Sequence, residues 1–261
     1  MEITFYKYQG TGNDFVIIDN RDLKFPRTNN KLVNFLCDRK FGVGADGLML
    51  LNPSDQYDFT MVYYNSDGTE STMCGNGGRC LVAFAHQLGI FKTETTFDAV
   101  DGLHYASYHD GITNLQMIDV DKIEINNNYA FLNTGSPHHV QVVEHIETYN
   151  VKDNGAKIRY GAPYFDEGTN VNFVEPLEND SFRVRTYERG VENETLACGT
   201  GVTAVAIAMY EQKQTKNTKI PLTVEGGQLE VSFEPTAHGY KNVFLKGPAT
   251  FVFKGTINYN E

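Results

Sequence analysis

Cys74-Gly75-Asn76-Gly77-Gly78-Arg79-Cys80-Leu81-Val82-Ala83-Phe84-Ala85 and Cys198-Gly199-Thr200-Gly201-Val202-Thr203-Ala204-Val205-Ala206-Ile207-Ala208-Met209 share one grammar, a C-G-x-G that opens onto an apolar run. Neither run keeps a polar face. A helix that is apolar nearly all round must be buried on every side, so helices are expected over 78–88 and 202–211, each enclosed by a sheet. Gly89 is the expected stop of the first.

The two motifs lie 124 positions apart, and other segments keep that spacing. Gly44-Ala45-Asp46-Gly47-Leu48-Met49-Leu50 is answered 124 positions later by Gly168-Thr169-Asn170-Val171-Asn172-Phe173-Val174, each a glycine turn feeding a strand-like run. Gly12-Asn13-Asp14-Phe15-Val16-Ile17 and Gly135-Ser136-Pro137-His138-His139-Val140 are offset by 123, as are residues 59–65 and 182–188. Their common order makes a duplicated unit a better account than coincidence among glycine-rich turns. The expected organisation is a half over 1–122 carrying Cys74, a half over 123–249 carrying Cys198, and a strand over 250–261 returning to the first half. Strand candidates, chosen for alternation and for β-branched or aromatic residues, are 3–8, 15–19, 58–64, 102–108 with its Asp110-Gly111 turn, 139–143, 182–187, 228–233 and 242–246. The fold class expected is α+β, with two pseudo-symmetric domains, each a curled, mixed, barrel-like sheet around a buried central helix.

The bulk composition narrows the function classes. The chain has 261 residues, 41% of them apolar, and 22 basic against 33 acidic residues, a net charge of −11. Such a field repels nucleic acid and anionic membrane, so neither is an expected partner and a small molecule is. The opening Met1-Glu2-Ile3-Thr4 has no signal-peptide core, and no apolar run approaches the roughly 18 residues of a membrane span, so a cytoplasmic setting is expected. Four cysteines, Cys37, Cys74, Cys80 and Cys198, form no C-x2-C pair, which argues against a zinc knuckle or a dithiol motif; free thiols and no metal are expected.

A cysteine at the start of a buried helix meets unpaired backbone N–H groups and the positive dipole end, which favour thiolate over thiol. Gly75, Gly77, Gly199 and Gly201 clear side-chain bulk from those N–H groups and leave a seat for a carboxylate, whose charge grows when the adjacent carbon loses a proton. Two such helix starts facing each other would let one sulfur remove a proton and the other return one to the opposite face. That inverts the carbon. No lysine sits in a recognisable pyridoxal-phosphate context and no dinucleotide glycine fingerprint follows a strand, so no cofactor is expected. The competing reading is that both cysteines merely fill helix starts.

At these segments the sequence resembles the diaminopimelate epimerase family, and the resemblance runs over nearly the whole chain. It is carried by Gly10-Thr11-Gly12-Asn13-Asp14-Phe15, Asp38-Arg39-Lys40-Phe41-Gly42-Val43-Gly44-Ala45-Asp46, Asn65-Ser66-Asp67-Gly68 and the first cysteine motif. The second half adds Gly135-Ser136-Pro137-His138, Gly168-Thr169-Asn170-Val171, Tyr187-Glu188-Arg189-Gly190, Glu194-Thr195-Leu196-Ala197-Cys198-Gly199-Thr200-Gly201 and Gly247-Pro248-Ala249. The resemblance implies interconversion of L,L- and meso-diaminopimelate, a step toward lysine and the peptidoglycan cross-link. It implies that Cys74 deprotonates the L,L form and Cys198 the meso form. Arg189 resembles the clamp for the distal carboxylate, Asn13, Asn65 and Asn170 resemble the amides that read the distal head groups, and Glu188 resembles a partner for the ammonium. Gly75, Asn76, Gly199 and Thr200 would hold the reacting carboxylate. His138 and Ser136 are auxiliary candidates, and a homodimer is the expected assembly.

Two positions depart from the family pattern: Ser136 stands where asparagine is frequent, and Gly47 where glutamine is. Both bear on distal recognition and neither on proton transfer. His139 is expected at the surface, Cys80 and Cys37 in the core, Cys37 within a helix-like stretch over 31–38, and Arg79 is given a structural place. The nearest alternative is a proline or hydroxyproline racemase of the same architecture, which has no second head group for Arg189 and the three asparagines to bind. A redox-sensing or ligand-binding module is the alternative from a different class.

Overall fold

The computed structural model describes residues 1–71 and 73–259 and divides into two compact units, Met1–Leu115 with Pro248–Glu261, and Gln116–Gly247. In chain order the first unit runs β1 (Glu2–Gly10), β2 (Asn13–Asp19), α1 (Asn30–Cys37), β3 (Gly47–Asn52), β4 (Phe59–Asn65), β5 (Glu70–Ser71), α2 (Gly75–Gln87), β6 (Glu94–Ala99), β7 (Gly102–His109) and β8 (Ile112–Gln116). The second runs β9 (Ile123–Ile125), β10 (Ala130–Asn133), β11 (Pro137–Val142), a 3₁₀ turn (Ile146–Thr148), α3 (Val151–Tyr160), β12 (Asn170–Pro176), β13 (Phe182–Glu188), β14 (Asn193–Thr195), α4 (Gly199–Glu211), β15 (Lys219–Val224), β16 (Gly227–Thr236) and β17 (Gly239–Pro248). Last comes β18 (Thr250–Asn258), antiparallel to β1. The final two residues of the strand expected over 250–261 lie outside the described residues.

The units repeat one topology. In the first, β1 and β2 are antiparallel, β2 and β3 parallel, β3 and β4 antiparallel, β4 and β6 parallel, and β6, β7 and β8 antiparallel in turn. In the second, β10 and β11 are antiparallel, β11 and β12 parallel, β12 and β13 antiparallel, β13 and β15 parallel, and β15, β16 and β17 antiparallel in turn. A short strand closes on β4 and on β13 just ahead of each central helix. The expected α+β class with curled mixed sheets and pseudo-symmetry holds.

Each sheet curls because its central helix needs cover all round. Helix α2 packs on β1, β2, β3, β7 and β18, and helix α4 on β10, β11, β12, β13, β15 and β16. Residues 75–85 of α2 are all buried, as are Val202 to Met209 of α4. Gly89, with φ +72°, ends the first turn beyond α2 and donates its N–H to His86 O. Both helices begin one turn earlier than hydrophobicity indicates, because glycines and Asn76 or Thr200 continue the helix where no apolar side chain marks it.

Helix α1 covers the other sheet face of the first unit. Asn29 caps it by accepting Leu32 N–H at 3.0 Å, and Leu32, Val33, Leu36 and Cys37 join a core with Val16, Leu48 and Leu50. Helix α3 has the equivalent place in the second unit, resting on Phe173 and Tyr187 through Val151. It was not foreseen in the sequence, since only Val151 and Gly155 are buried along it. Strands β5, β6, β9, β10, β14 and β15 are not among the expected ones either. Among the described residues, no helix is long and apolar enough to cross a membrane.

The contact of α3 with β13 gives a test of packing against propensity. A Cβ built on Gly155 would lie 2.4 Å from Tyr187 Cβ. Gly155→Ala should therefore lower the unfolding temperature, an overpacking cost of roughly 1–3 kcal/mol exceeding the ~1 kcal/mol that alanine gains in a helix. A raised unfolding temperature in a calorimetric scan would refute this packing.

Candidate active site

Cys74 is the N-cap of α2, with extended backbone (φ −103°, ψ 124°) and no side-chain capping hydrogen bond. Its sulfur is half-buried and lies 3.8 Å from Asn13 Oδ1, which accepts from it. Asn13 also accepts from Asn76 Nδ2 at 3.3 Å and donates through Nδ2 to Asp46 Oδ2 at 2.6 Å, so its amide has one orientation. Arg39 bridges Asp46 (2.8 Å) and Asp14 (2.7 Å), and Lys7 closes the cluster on Asp14 at 2.6 Å. Burial works to raise the Asp14 carboxyl, but the hydrogen bonds and charges of Arg39 and Lys7 overcome it and hold the group down at about 2. The roles of Asp46, Arg39 and Lys7 in orienting Asn13 were missed in the sequence.

The remaining first-half candidates sit in different settings. Gly75 and Asn76 form the first turn of α2 and are buried. Asn65 ends β4 in a tight hairpin, its N–H donating to Thr69 O at 2.9 Å and its Nδ2 reaching Thr69 Oγ1 at 3.4 Å. At Gly47, the position expected to depart from the family pattern, a Cβ would lie 2.6 Å from the Tyr63 ring and 2.7 Å from Tyr64 O. Tyr63 fills the space. Arg79 is fully buried and meets Thr11 Oγ1 at 3.3 Å and Gly75 O at 3.5 Å, with no carboxylate in ion-pair reach among the described residues; it ties the β1–β2 turn to α2. Burial pushes the thiols of Cys80 and Cys37 up to about 12, so both remain protonated core residues.

Cys198 is the N-cap of α4, also extended (φ −123°, ψ 112°), and buried. Its sulfur lies 3.5 Å from Thr200 Oγ1, and Thr200 Oγ1 lies 2.9 Å from His138 Nε2. Thr134 Oγ1 donates to Thr200 O at 2.8 Å, which fixes the helix start. Ser136 lies in the turn before β11, its carbonyl accepting Thr134 N–H at 3.1 Å. Asn170 begins β12 and donates to Pro137 O (3.2 Å) while accepting Arg189 N–H (2.9 Å), so its amide joins β11 to the turn after β13. Glu188 accepts from Thr195 Oγ1 at 3.0 Å. Exposed Arg189 donates to Glu167 O at 2.8 Å and has no carboxylate in ion-pair reach among the described residues.

The expectation that His139 lies at the surface is wrong. It is buried, stacked on Tyr129 at 4.3 Å between ring centroids, with Nδ1 2.9 Å from Tyr164 Oη. Strand β11 is covered on both faces, so alternation does not place one of its histidines outside. Asn172, also unforeseen, contacts His138 Nδ1 at 3.0 Å; its only signal was a position two residues beyond Asn170 on the same strand face.

The family model for diaminopimelate epimerase matches residues 5–120 and 130–252, which include both C-G-x-G motifs. The chain belongs to the diaminopimelate epimerase family. A diaminopimelate epimerase of Flavobacterium psychrophilum is 57% identical over 253 residues, covering 97% of this chain and 99% of that protein. One from Aquifex aeolicus is 39% identical over 276 residues, covering 97% of each. The fold is also that of a Bacillus anthracis phenazine biosynthesis protein of the PhzF family (TM-score 0.79, 12% identity, 99% and 100% covered). It is shared as well by a probable proline racemase from Agrobacterium radiobacter (TM-score 0.70, 15% identity, 99% and 93% covered). For this member of the epimerase family, no group of three or more His, Cys, Asp or Glu able to hold a metal ion is present among the described residues.

Burial, aided by the charge of Arg189, pushes the His138 imidazole from 6.5 down to about 3. Between those values the unfolded chain binds a proton at this position and the native chain does not, so stability falls as pH drops through that window. His138→Gln should flatten the decline, by up to about 1.4 kcal/mol per pH unit, in denaturant titrations compared at about pH 6 and about pH 4.5. An unchanged slope would mean that the histidine is not held neutral.

Proposed function

We propose that the chain is a cofactor-independent isomerase that interconverts L,L- and meso-diaminopimelate with Cys74 and Cys198 as its two acid/base groups. The observation that carries this reading is that both cysteines stand as N-caps, without side-chain capping bonds, on helices at the same place in a repeated topology. The names of the relatives at 57% and 39% identity supply the substrate. On this reading the halves over 1–122 and 123–249 each contribute one sulfur. Cys74 as thiolate takes the α-proton of the L,L isomer while Cys198 as thiol protonates the opposite face, and the roles exchange for the meso isomer. Carbon, sulfur and charge balance at the end of each turnover, with one thiol and one thiolate.

The backbone N–H groups of Gly75, Asn76, Gly199 and Thr200 belong to helix first turns, where intrahelical partners are lacking, and suit the carboxylate of the reacting carbon. Arg189, whose guanidinium meets carbonyls and no carboxylate among the described residues, suits the distal carboxylate. Asn13, Asn65 and Asn170 supply amides and Glu188 an acidic group for the distal amine, with Ser136 and His138 as auxiliaries. The setting this reading implies is a cytoplasmic homodimer in lysine and peptidoglycan precursor synthesis. A proline-type racemase is less well supported, because the racemase likeness rests on fold at 15% identity.

In deuterated water the L,L isomer should acquire deuterium at one α-carbon. Cys74→Ala and Cys198→Ala should each lose about 10²–10⁴-fold in turnover, the usual worth of a positioned acid or base. Near wild-type exchange in both variants, or turnover of L-proline in place of diaminopimelate, would overturn the assignment.

A further inference from the structure

We propose that Asn172 is a positioning residue: it fixes the His138 imidazole as its Nε2–H tautomer and thereby makes the Thr200 hydroxyl donate to the Cys198 sulfur. The inference rests on the two-thiol reading above and deepens it. It starts from the amide. Asn172 is fully buried on β12, with Nδ2 3.0 Å from His138 Nδ1 and 3.1 Å from the backbone carbonyl of His139, while Thr186 Oγ1 lies 3.0 Å from its Oδ1. Turning the amide over would set its oxygen against the His139 carbonyl oxygen, two acceptors with no proton between them, so the orientation is decided by the main chain.

The direction of the remaining bonds follows by counting hydrogens. An amide nitrogen only donates, so His138 Nδ1 is an acceptor and carries no proton. A neutral imidazole then holds its single proton on Nε2, which donates to Thr200 Oγ1 at 2.9 Å. That hydroxyl accepts a hydrogen bond from Nε2, and on this proposal its own hydrogen is directed to the Cys198 sulfur, its other partner, at 3.5 Å. A donor aimed at sulfur favours thiolate over thiol, adding to the helix start. Gly201 permits the approach, because a Cβ there would lie 2.4 Å from Asn172 Oδ1 and 3.3 Å from the sulfur.

The surroundings keep the direction from reversing. Among the described residues no carboxylate is hydrogen-bonded to His138, and the cation of Arg189 acts on it, which together with burial keeps the ring neutral. Thr134 anchors Thr200 from β10's end of the chain without using its hydroxyl. The first half is built differently, since Cys74 meets the Asn13 Oδ1 acceptor and also feels the charge of buried Arg79. The two sulfurs thus have different neighbours, a hydroxyl at Cys198 and an amide oxygen at Cys74.

The test uses the full-length, ligand-free protein. ¹⁵N NMR of histidine-labelled wild type, with the His138 signals assigned through His138→Gln, should show Nε2 protonated and Nδ1 bare at neutral pH. Alkylation of Cys198 by iodoacetamide, followed by peptide mass spectrometry, should slow at least about tenfold in Thr200→Val, equivalent to a thiol titrating one unit higher, and recover in Thr200→Ser. Asn172→Leu should slow it similarly and mix the two tautomers. An Nδ1–H tautomer in wild type, or wild-type alkylation of Cys198 in Thr200→Val, overturns the proposal, and the wild-type spectrum decides it even where Asn172→Leu does not fold. Because no substrate is present, absent epimerisation would count against the functional reading alone.

Discussion

A helix with no polar side obliges the rest of each unit to surround it. Neither α2 nor α4 can rest on a flat sheet, because that would leave half of Leu81, Val82 and Phe84, or of Val205, Ile207 and Met209, against water. The strands answer by curling. Enclosure has a chemical result at the helix start: its first turn is held largely out of water, with Cys198 buried and Cys74 half-buried just before it. Electrostatic effects there are larger than at an exposed helix start. The placement of a cysteine at that point, twice, therefore follows from packing as much as from chemistry.

Around each sulfur a second layer of contacts sets orientation. In the first half the layer is ionic, running from Lys7 and Arg39 through Asp14 and Asp46 to the Asn13 amide. In the second it is neutral, running from Thr186 through Asn172 and His138 to Thr200. The two units share one topology while the groups that support the sulfurs differ. On the proposed two-thiol reading, a reaction that needs one thiol and one thiolate has reason to treat its two sulfurs unequally.

Much of the frame was legible in the sequence because it is written locally. The C-G-x-G starts, the apolar helices and the 124-residue spacing each need only a few neighbouring residues to be recognised. What escaped was either amphipathically thin or long-range. Helix α3 buries too few side chains to announce itself. Asn172 meets His138 across 34 positions and Asn13 meets Asp46 across 33, distances over which residue type alone gives no hint of contact. His139 misled for a related reason, since strand alternation locates an outside face only when one exists.

Strand β18 has a consequence for the order of assembly during synthesis. It pairs with β1 from Glu2 opposite Asn258 to Gln9 opposite Thr250, so the first unit is completed by residues that follow the whole of the second. Residues 116–247 are contiguous and have their partners in hand as soon as they leave the ribosome. The amino-terminal half must wait with one flank of its sheet uncovered, its closure being the most non-local step of folding. A growing chain would thus acquire its later half first.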